Sequence, residues 1–154
     1  MKKFLAIIFG LIIFTNAIDC SAAISPNRFF LGGLTLEQDI HKINSMYGTA
    51  ARTETDERLT FYYYGDESFC VVELAGRIFA VYSNDNNEIA TPDGVTVGMA
   101  EQTIFDIYGE SDGKNVFDDG LTEYIYNKYG RRYEELKFSV RNEKIVKISL
   151  RYNI

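Results

Sequence analysis

The chain contains 154 residues, of which 46% are hydrophobic, 25% charged and 14% aromatic, with two Cys and no Trp. This content can supply the core of an ordinary domain, and it excludes a disulfide-stabilised miniprotein and a low-complexity chain. The formal net charge of −6 argues against nucleic-acid binding, which requires a basic surface.

The first 23 residues have the layout of a secretory signal peptide. Lys2 and Lys3 precede an unbroken apolar run from Phe4 to Phe14, and Ser21-Ala22-Ala23 places small residues before a cleavage site at Ile24. The run is too short to span a membrane as a helix. We therefore expect export to the periplasm or the medium, with no transmembrane segment after cleavage.

Cys20 leaves a second interpretation of this leader open. Exported bacterial lipoproteins are cut before a cysteine that becomes acylated, so such a cut would anchor the chain at Cys20. However, Asp19 stands where these sites have a small residue. Cleavage before Ile24 would instead leave Cys70 as the only cysteine of the mature chain. Its neighbours are typical of a buried strand, which favours a packing role for its thiol.

A tandem repeat follows the leader, with a period of about 61 residues. The first copy contains Gly33-Leu34-Thr35-Leu36 followed by Tyr47-Gly48. The second copy contains Gly94-Val95-Thr96-Val97 followed, at the same spacing, by Tyr108-Gly109. We therefore divide the chain into the signal peptide at 1–23, repeat 1 at 24–90 and repeat 2 at 91–154.

Each repeat predicts one helix followed by three strands. Thr35 and Gln38 fit a capping box for the first helix, Ala100 begins the second, and Gly48 and Gly109 end them. Strands are predicted at 59–64, 69–74 and 78–83, and again at 121–126, 135–141 and 145–152. We expect an α+β fold in which each helix packs on a three-stranded antiparallel meander. The two meanders could join into one continuous sheet with both helices on one side.

The repeated motif resembles that of two known groups of proteins. The motif consists of a Gly-x-Thr-x segment, a short helix that ends in Tyr-Gly and a tyrosine-bearing meander. It resembles the repeat of β-lactamase-inhibitor-like proteins and of outer-membrane-assembly lipoproteins of the SmpA/OmlA type. Two copies in one exported chain resemble the inhibitor-like arrangement more. The resemblance implies a sheet with helices on one side and a protein partner on the other, and it transfers no binding residue.

The residues that carry chemistry do not form a pattern typical of an enzyme. His41 is the only histidine, and no Gly-x-Ser-x-Gly motif accompanies it. The acidic loops at 84–88 and 112–119 lack the ligand spacing of a calcium-binding loop. We predict no catalytic residue, no metal site and no cofactor.

Alternation along the strands predicts a face available for binding. In repeat 2 the face away from the helix carries Glu123, whereas the corresponding face of repeat 1 is apolar and aromatic. Exposing such side chains costs roughly 1.5–3 kcal/mol each, so another surface should cover them. The predicted partner-binding residues are Leu59, Phe61, Tyr63, Ile78 and Tyr82. The alternative is that repeat 2, the N-terminal segment or a second copy of the chain covers this face.

Three functions remain open at this point. The first is an exported, non-catalytic module that binds another exported or envelope protein through its sheet face. The second is a component of cell-envelope assembly or structure, anchored by lipid at Cys20. The third is a small hydrolase built around His41. The sequence does not determine the oligomeric state.

Overall fold

The computed structural model describes residues 24–128, 130 and 133–153, so the predicted signal peptide and Cys20 lie outside the described residues. Within them are two helices, α1 at His41–Tyr47 and α2 at Gln102–Tyr108, and a 3-10 turn at Pro26–Arg28. The same part of the chain forms eight strands: β1 Arg52–Asp56, β2 Leu59–Tyr64, β3 Phe69–Leu74, β4 Arg77–Ser83, β5 Gly113–Val116, β6 Thr122–Lys128, β7 Glu134–Arg141 and β8 Lys144–Tyr152.

These strands form one antiparallel sheet in the order β1-β2-β3-β4-β8-β7-β6-β5. Strands β1 to β4 and strands β5 to β8 are meanders, because each strand pairs with the next along the chain. The pairing of β4 with β8 runs from Ala80 opposite Arg151 to Ser83 opposite Ile148. It joins the two meanders at the centre of the sheet and leaves β1 and β5 at the edges.

Each of the two central strands contains a β-bulge. The pairing of β3 with β4 shifts between Val72 and Glu73, which makes Phe79 the extra residue. The pairing of β7 with β8 shifts in the same way and makes Val146 the extra residue. One extra residue changes which side chains point to a given face. As a result, Ile78 lies in the core and is fully buried.

Backbone hydrogen bonds attach the segment before each helix to a turn of the sheet. Beside α1, the Glu37 N–H donates to the carbonyl of Ile78 at 3.0 Å, and the Ile40 N–H donates to that of Gly76 at 3.2 Å. The corresponding donors before α2 are Gly98 and Glu101, whose acceptors are the carbonyls of Ile145 and Glu143. These bonds attach the chain to the sheet up to the start of each helix.

Both helices are therefore shorter than the sequence predicts. The side chain of Gln38 accepts a hydrogen bond from the Thr35 N–H at 3.3 Å, as in a capping box. No helix begins there, however, because Glu37 has a φ of 64° and lies in the left-handed region. Gly48 and Gly109 do end the helices, with φ of 76° and 72°.

The main core lies between the sheet and the layer formed by the helices and the N-terminal segment. Its fully buried residues include Phe29, Leu31 and Leu34 before α1, Ile43 and Ile104 in the helices, and Val71, Val81, Leu136, Phe138, Ile148 and Leu150 in the sheet. One face of the sheet is thus covered, and the other points away from the helices.

The predicted α+β class of two tandem helix-on-meander repeats is wrong. The described residues form mainly one eight-stranded antiparallel sheet, and each helix has only seven residues. The meanders also have four strands rather than three. Strands β1 and β5 were missed because they are polar, with few of the apolar side chains that identify a strand by alternation.

Candidate protein-binding face

The sheet face that points away from α1 and α2, called here the open face, carries a second hydrophobic cluster. Its buried centre consists of Cys70, Val72 and Ala80, which are 4%, 2% and 1% exposed. The larger residues packed around this centre are Leu59, Phe61, Tyr63, Phe79 and Tyr82, all half-buried. We call these eight residues the apolar patch. All of them lie in β2, β3 and β4, so within the described residues the patch is a single layer.

Strand pairing explains why these side chains share one face. Phe61 lies opposite Val72, and Tyr63 lies opposite Cys70 in the β2–β3 pair. Residues directly opposite in an antiparallel pair point to the same side. Tyr62 and Tyr64, between and beside them, pack against the main core instead. The alternation along β2 therefore follows the predicted pattern.

The structure brings four of the five predicted binding residues together and separates the fifth. Leu59, Phe61, Tyr63 and Tyr82 pack around the same buried centre, whereas Ile78 belongs to the main core. The cause is the bulge at Phe79, which reverses the alternation between Ile78 and Ala80. Phe79 takes the place of Ile78 in the patch and packs against both clusters. An apolar run from Ile78 to Tyr82 gives no sequence signal for where such a reversal occurs.

Charged side chains surround the β1 side of the patch. The guanidinium carbon of Arg52 lies 3.9 Å from the ring centre of Tyr63, which is a cation–π contact. The Tyr63 hydroxyl donates to Glu54 at 3.3 Å, and Arg52 Nε donates to Glu67 at 2.9 Å. These contacts fix the orientation of the Tyr63 ring at the edge of the patch.

The β6–β8 half of the open face is polar, although much of it is buried. Lys137 Nζ donates to Glu123 at 3.2 Å and lies 3.9 Å from Glu135. Glu135 and Lys137 are only 5% and 8% exposed, and Ser139 and Ser149 beside them are buried as well. Neighbouring charges satisfy these groups, as the cost of burying an ion requires. This half of the face is therefore an ordered polar surface rather than a set of free charges.

Lys147 marks the boundary between the two halves. Its ammonium nitrogen lies 4.6 Å from the ring centre of Tyr82, across the β4–β8 pair. Burial lowers the pKa of Lys147, because burial disfavours the charged ammonium form. The open face thus combines a flat apolar patch with a neighbouring band of paired charges.

Cys70 is placed for packing rather than for nucleophilic chemistry. It is a free cysteine at the buried centre of the patch, and burial raises the pKa of its thiol to about 11. A thiol with that pKa is almost entirely protonated at neutral pH, and the thiolate is the reactive form.

The other candidate residues are separate from this face. The side chain of His41 is exposed at the start of α1, where its backbone N–H donates to Asp39 at 2.9 Å. In the 84–88 loop, Asn87 accepts from Ser83 at 2.9 Å and donates to Ser68 at 2.8 Å, so its polar groups stabilise the turn. The described ranges contain no group of three or more His, Cys, Asp or Glu residues placed to hold a metal ion.

Neither α1, α2 nor the short 3-10 turn has the length and apolar content that a membrane-crossing helix requires, among the residues whose structure is described. Comparisons of the chain with models of protein families and with curated proteins gave no match.

Two solved structures have a similar fold. A cysteine-rich secretory protein from Staphylococcus aureus subsp. aureus Mu50 aligns with a TM-score of 0.52 and 16% identity, over 77% of this chain and 49% of that one. An extracellular protein containing an SCP domain, from Bacillus anthracis str. Ames, aligns with a TM-score of 0.55 and 9% identity, over 98% of this chain and 49% of that one. The chain thus spans about half the length of each, and at this identity the likeness shows the fold alone.

Both of these proteins are described as secretory or extracellular, which fits the predicted export of this chain. Neither is an inhibitor-like protein or a small outer-membrane-assembly lipoprotein. The resemblance to those two groups therefore stays a prediction.

Proposed function

We propose that this chain is an exported, non-catalytic module that binds another exported or envelope protein through the apolar patch of the open face. The observation that carries the proposal is the single-layer hydrophobic cluster in β2, β3 and β4. Phe61, Tyr63 and Tyr82 remain half-buried there, and burying the rest of each would release a further share of the roughly 1.5–3 kcal/mol that full burial of a large side chain gives. A protein surface laid over them would gain that energy.

The composition of the patch supports a protein partner. Aromatic side chains are enriched at the centres of protein interfaces, because they bury a large area with little loss of conformational freedom. Tyr63 is already held by Arg52 and Glu54, and Tyr82 is held by Lys147. Binding would therefore require little additional ordering of these two rings. The band of paired charges beside the patch would form a polar rim.

Site-specific cross-linking in the native host tests this proposal. A photoreactive phenylalanine analogue is placed at Phe61, and the matched control carries it at Met46, which is 49% exposed on α1. We expect Phe61 to cross-link to one exported or envelope protein and Met46 not to. Cross-links from Phe61 only to a second copy, or no cross-links, would contradict the proposal.

A double substitution provides the second test. Phe61→Asp with Tyr63→Asp should abolish capture of the cross-linked partner while the far-ultraviolet circular dichroism stays unchanged. Unfolding of this variant would mean that the two side chains belong to a closed core. That result would contradict the proposal that this face binds a partner.

The intact mass of the protein from its native host tests the proposed export route. A mass that corresponds to a chain beginning at Ile24, with no modification, would agree with a soluble exported module. A mass that corresponds to an acylated chain beginning at Cys20 would favour the envelope-assembly role instead.

A further inference from the structure

We infer that the β5 edge of the sheet is a strand-addition site for an extended, basic segment of a partner protein. It lies at the opposite side of the sheet from β1 and does not involve the apolar patch. Three observations lead to this inference: the pairing of β5, the apolar residues exposed beside it, and an acidic, aromatic-lined cavity next to it.

The backbone of β5 has one unpaired side among the described residues. The strand pairs only with β6, from Gly113 opposite Ile125 to Val116 opposite Thr122. The Phe117 N–H donates to the Leu121 carbonyl at 2.9 Å, so residue 117 bonds toward β6. Backbone groups alternate in direction along an antiparallel strand. The N–H and C=O groups of Lys114 and Val116 therefore point away from β6 and are available to an added strand.

The two edges of the sheet differ in how well they resist such an addition. Strand β1 carries three charged side chains, at Arg52, Glu54 and Asp56, and charged edges discourage pairing with another chain. Strand β5 carries one charged side chain, Lys114, while Val116 in the strand is 70% exposed and Phe117 just after it is 45% exposed. These are among the most exposed large hydrophobic residues of the described chain. Strand addition would cover part of both.

A cavity of about 550 Å³ adjoins β5 on the side of the sheet that faces the helices. Phe105 and Tyr124 line it and make an edge-to-face contact with ring centres 4.9 Å apart. The acidic residues Glu110 and Asp112 also line it, and Lys114 is the only basic residue among the described residues of its lining. The Lys114 ammonium nitrogen lies 5.2 Å from the Tyr124 ring centre, so this ring already contacts a cation.

The geometry of an added strand connects these features. Alternate side chains of such a strand point to the helix side of the sheet, where the cavity lies. A lysine or arginine in that position would lie near the Tyr124 and Phe105 rings and face the carboxylate of Glu110. The exposed Asp118 adds to the negative charge at the end of β5. The added segment is therefore expected to be basic, with apolar residues that contact Val116 and Phe117.

Charge argues against a second copy of this chain as the occupant. Pairing β5 with its own copy would bring Glu110, Asp112 and Asp118 of two chains together, and each chain has a formal net charge of −6. Like charges placed close together oppose association. The strand is also only four residues long, which leaves few backbone hydrogen bonds to offset this repulsion.

Selection from a displayed library of random heptapeptides with the full chain as target tests the inference. We expect the enriched peptides to alternate Lys or Arg with β-branched residues, and to bind in solution. Val116→Pro should abolish binding, because proline removes the outward N–H that pairs with the added strand while leaving the bonds to β6. Circular dichroism would verify that this variant is folded.

Two further variants examine the cavity. Glu110→Gln should weaken binding of the selected peptides about three- to fivefold, the size expected for one exposed charge pair. Lys114→Ala should strengthen it, because the competing ammonium group is removed. Glu54→Gln, a matched substitution at the β1 edge, should have no effect.

Enrichment of acidic peptides, no enrichment, or binding that survives Val116→Pro would overturn the inference. A change from dimer to monomer in sedimentation of the Val116→Pro variant would also overturn it, because a second copy would then occupy the edge. The double variant Phe61→Asp with Tyr63→Asp should leave peptide binding intact. That result would show that the β5 edge binds peptides independently of the open face.

Discussion

Glu135 in β7 and Arg151 in β8 lie opposite each other, and Arg151 donates two hydrogen bonds of 3.2 Å to the same carboxylate oxygen. Only 5% of Glu135 is exposed, and Lys137 approaches the same oxygen to 3.9 Å. Two cations thus stabilise one buried carboxylate beside the apolar patch. Removing one cation should be costly, because a buried charge that loses part of its compensation is penalised.

This charge network gives the first prediction. Lys137→Met should lower the free energy of unfolding by about 1–3 kcal/mol, because Glu123 and Glu135 both lose a partner. A double-mutant cycle with Glu135→Gln should give a coupling energy above about 0.5 kcal/mol in urea denaturation. The control is the exposed Arg141–Asp119 pair, in which a guanidinium nitrogen lies 2.6 Å from a carboxylate oxygen. The cycle of Arg141→Met with Asp119→Asn should give a smaller coupling energy. Equal coupling in the two pairs would contradict the network.

The second prediction distinguishes the core from the open face. Ile78→Ala should lower the free energy of unfolding by about 2–5 kcal/mol, because it leaves a cavity in a fully buried site. Leu59→Ala, at the half-buried margin of the apolar patch, should cost about 1 kcal/mol, a typical value for a substitution away from the core. Denaturant unfolding of both variants measures the difference. A Leu59→Ala cost as large as that of Ile78→Ala would mean that the patch is already covered.

The third prediction concerns alkaline pH. Burial raises the pKa of Tyr108 and of Tyr126 strongly, and it raises that of Tyr124 to about 12, with a further contribution from the hydrogen bond to Glu101. Above pH 10 the unfolded chain loses these tyrosine protons first, so the unfolded state binds fewer protons than the folded state. The free energy of unfolding should therefore fall as the pH rises above 10, and this loss should be absent below it.

Ultraviolet absorbance of tyrosinate measures this effect, and the chain has no Trp to interfere. We expect these buried tyrosines to ionise together with unfolding. In Tyr126→Phe the fall of stability above pH 10 should be shallower, although loss of the 2.7 Å hydrogen bond to the Gly109 carbonyl costs about 1 kcal/mol at all pH values. Ionisation of all tyrosines near pH 10 without unfolding would contradict the prediction.

The fourth prediction tests the packing role of Cys70. Its thiol, with a pKa raised to about 11, should react with a disulfide reagent at pH 8 only after denaturant is added. Comparison with Cys70→Ala isolates the contribution of this residue from that of Cys20. Rapid modification of Cys70 in the folded protein would indicate that the patch opens readily.

Most strands could be located from the sequence because they are short runs rich in aromatic and β-branched residues, bounded by turn residues. Strand β2 is predicted and observed at 59–64, and β3 at 69–74. The turn residues between them also favour hairpins, which is why the antiparallel order within each meander was accessible. The pairing of β4 with β8 was left open because it joins segments far apart in the chain, where no local signal operates.

The missed features have local physical causes. The bulge at Phe79 reverses the faces of β4 without changing its apolar composition, so Ile78 was assigned to the wrong side. The helix predicted from the Thr35–Gln38 pair fails because the following backbone bonds to the sheet instead. Of the candidate binding residues, those on β2 followed from alternation alone. The cavity beside β5 could not be predicted, because its lining combines residues from α2, β5 and β6.

The position of β8 has a consequence for how the chain reaches its final structure. Residues 144–152 are the last of the described strands in sequence, yet they lie at the centre of the sheet between β4 and β7. Until this segment is synthesised and pairs with the rest of the sheet, β4 and β7 both present unpaired edges. Such edges recruit other strands. The period before β8 inserts is therefore when this chain is most prone to aggregation and most in need of a chaperone.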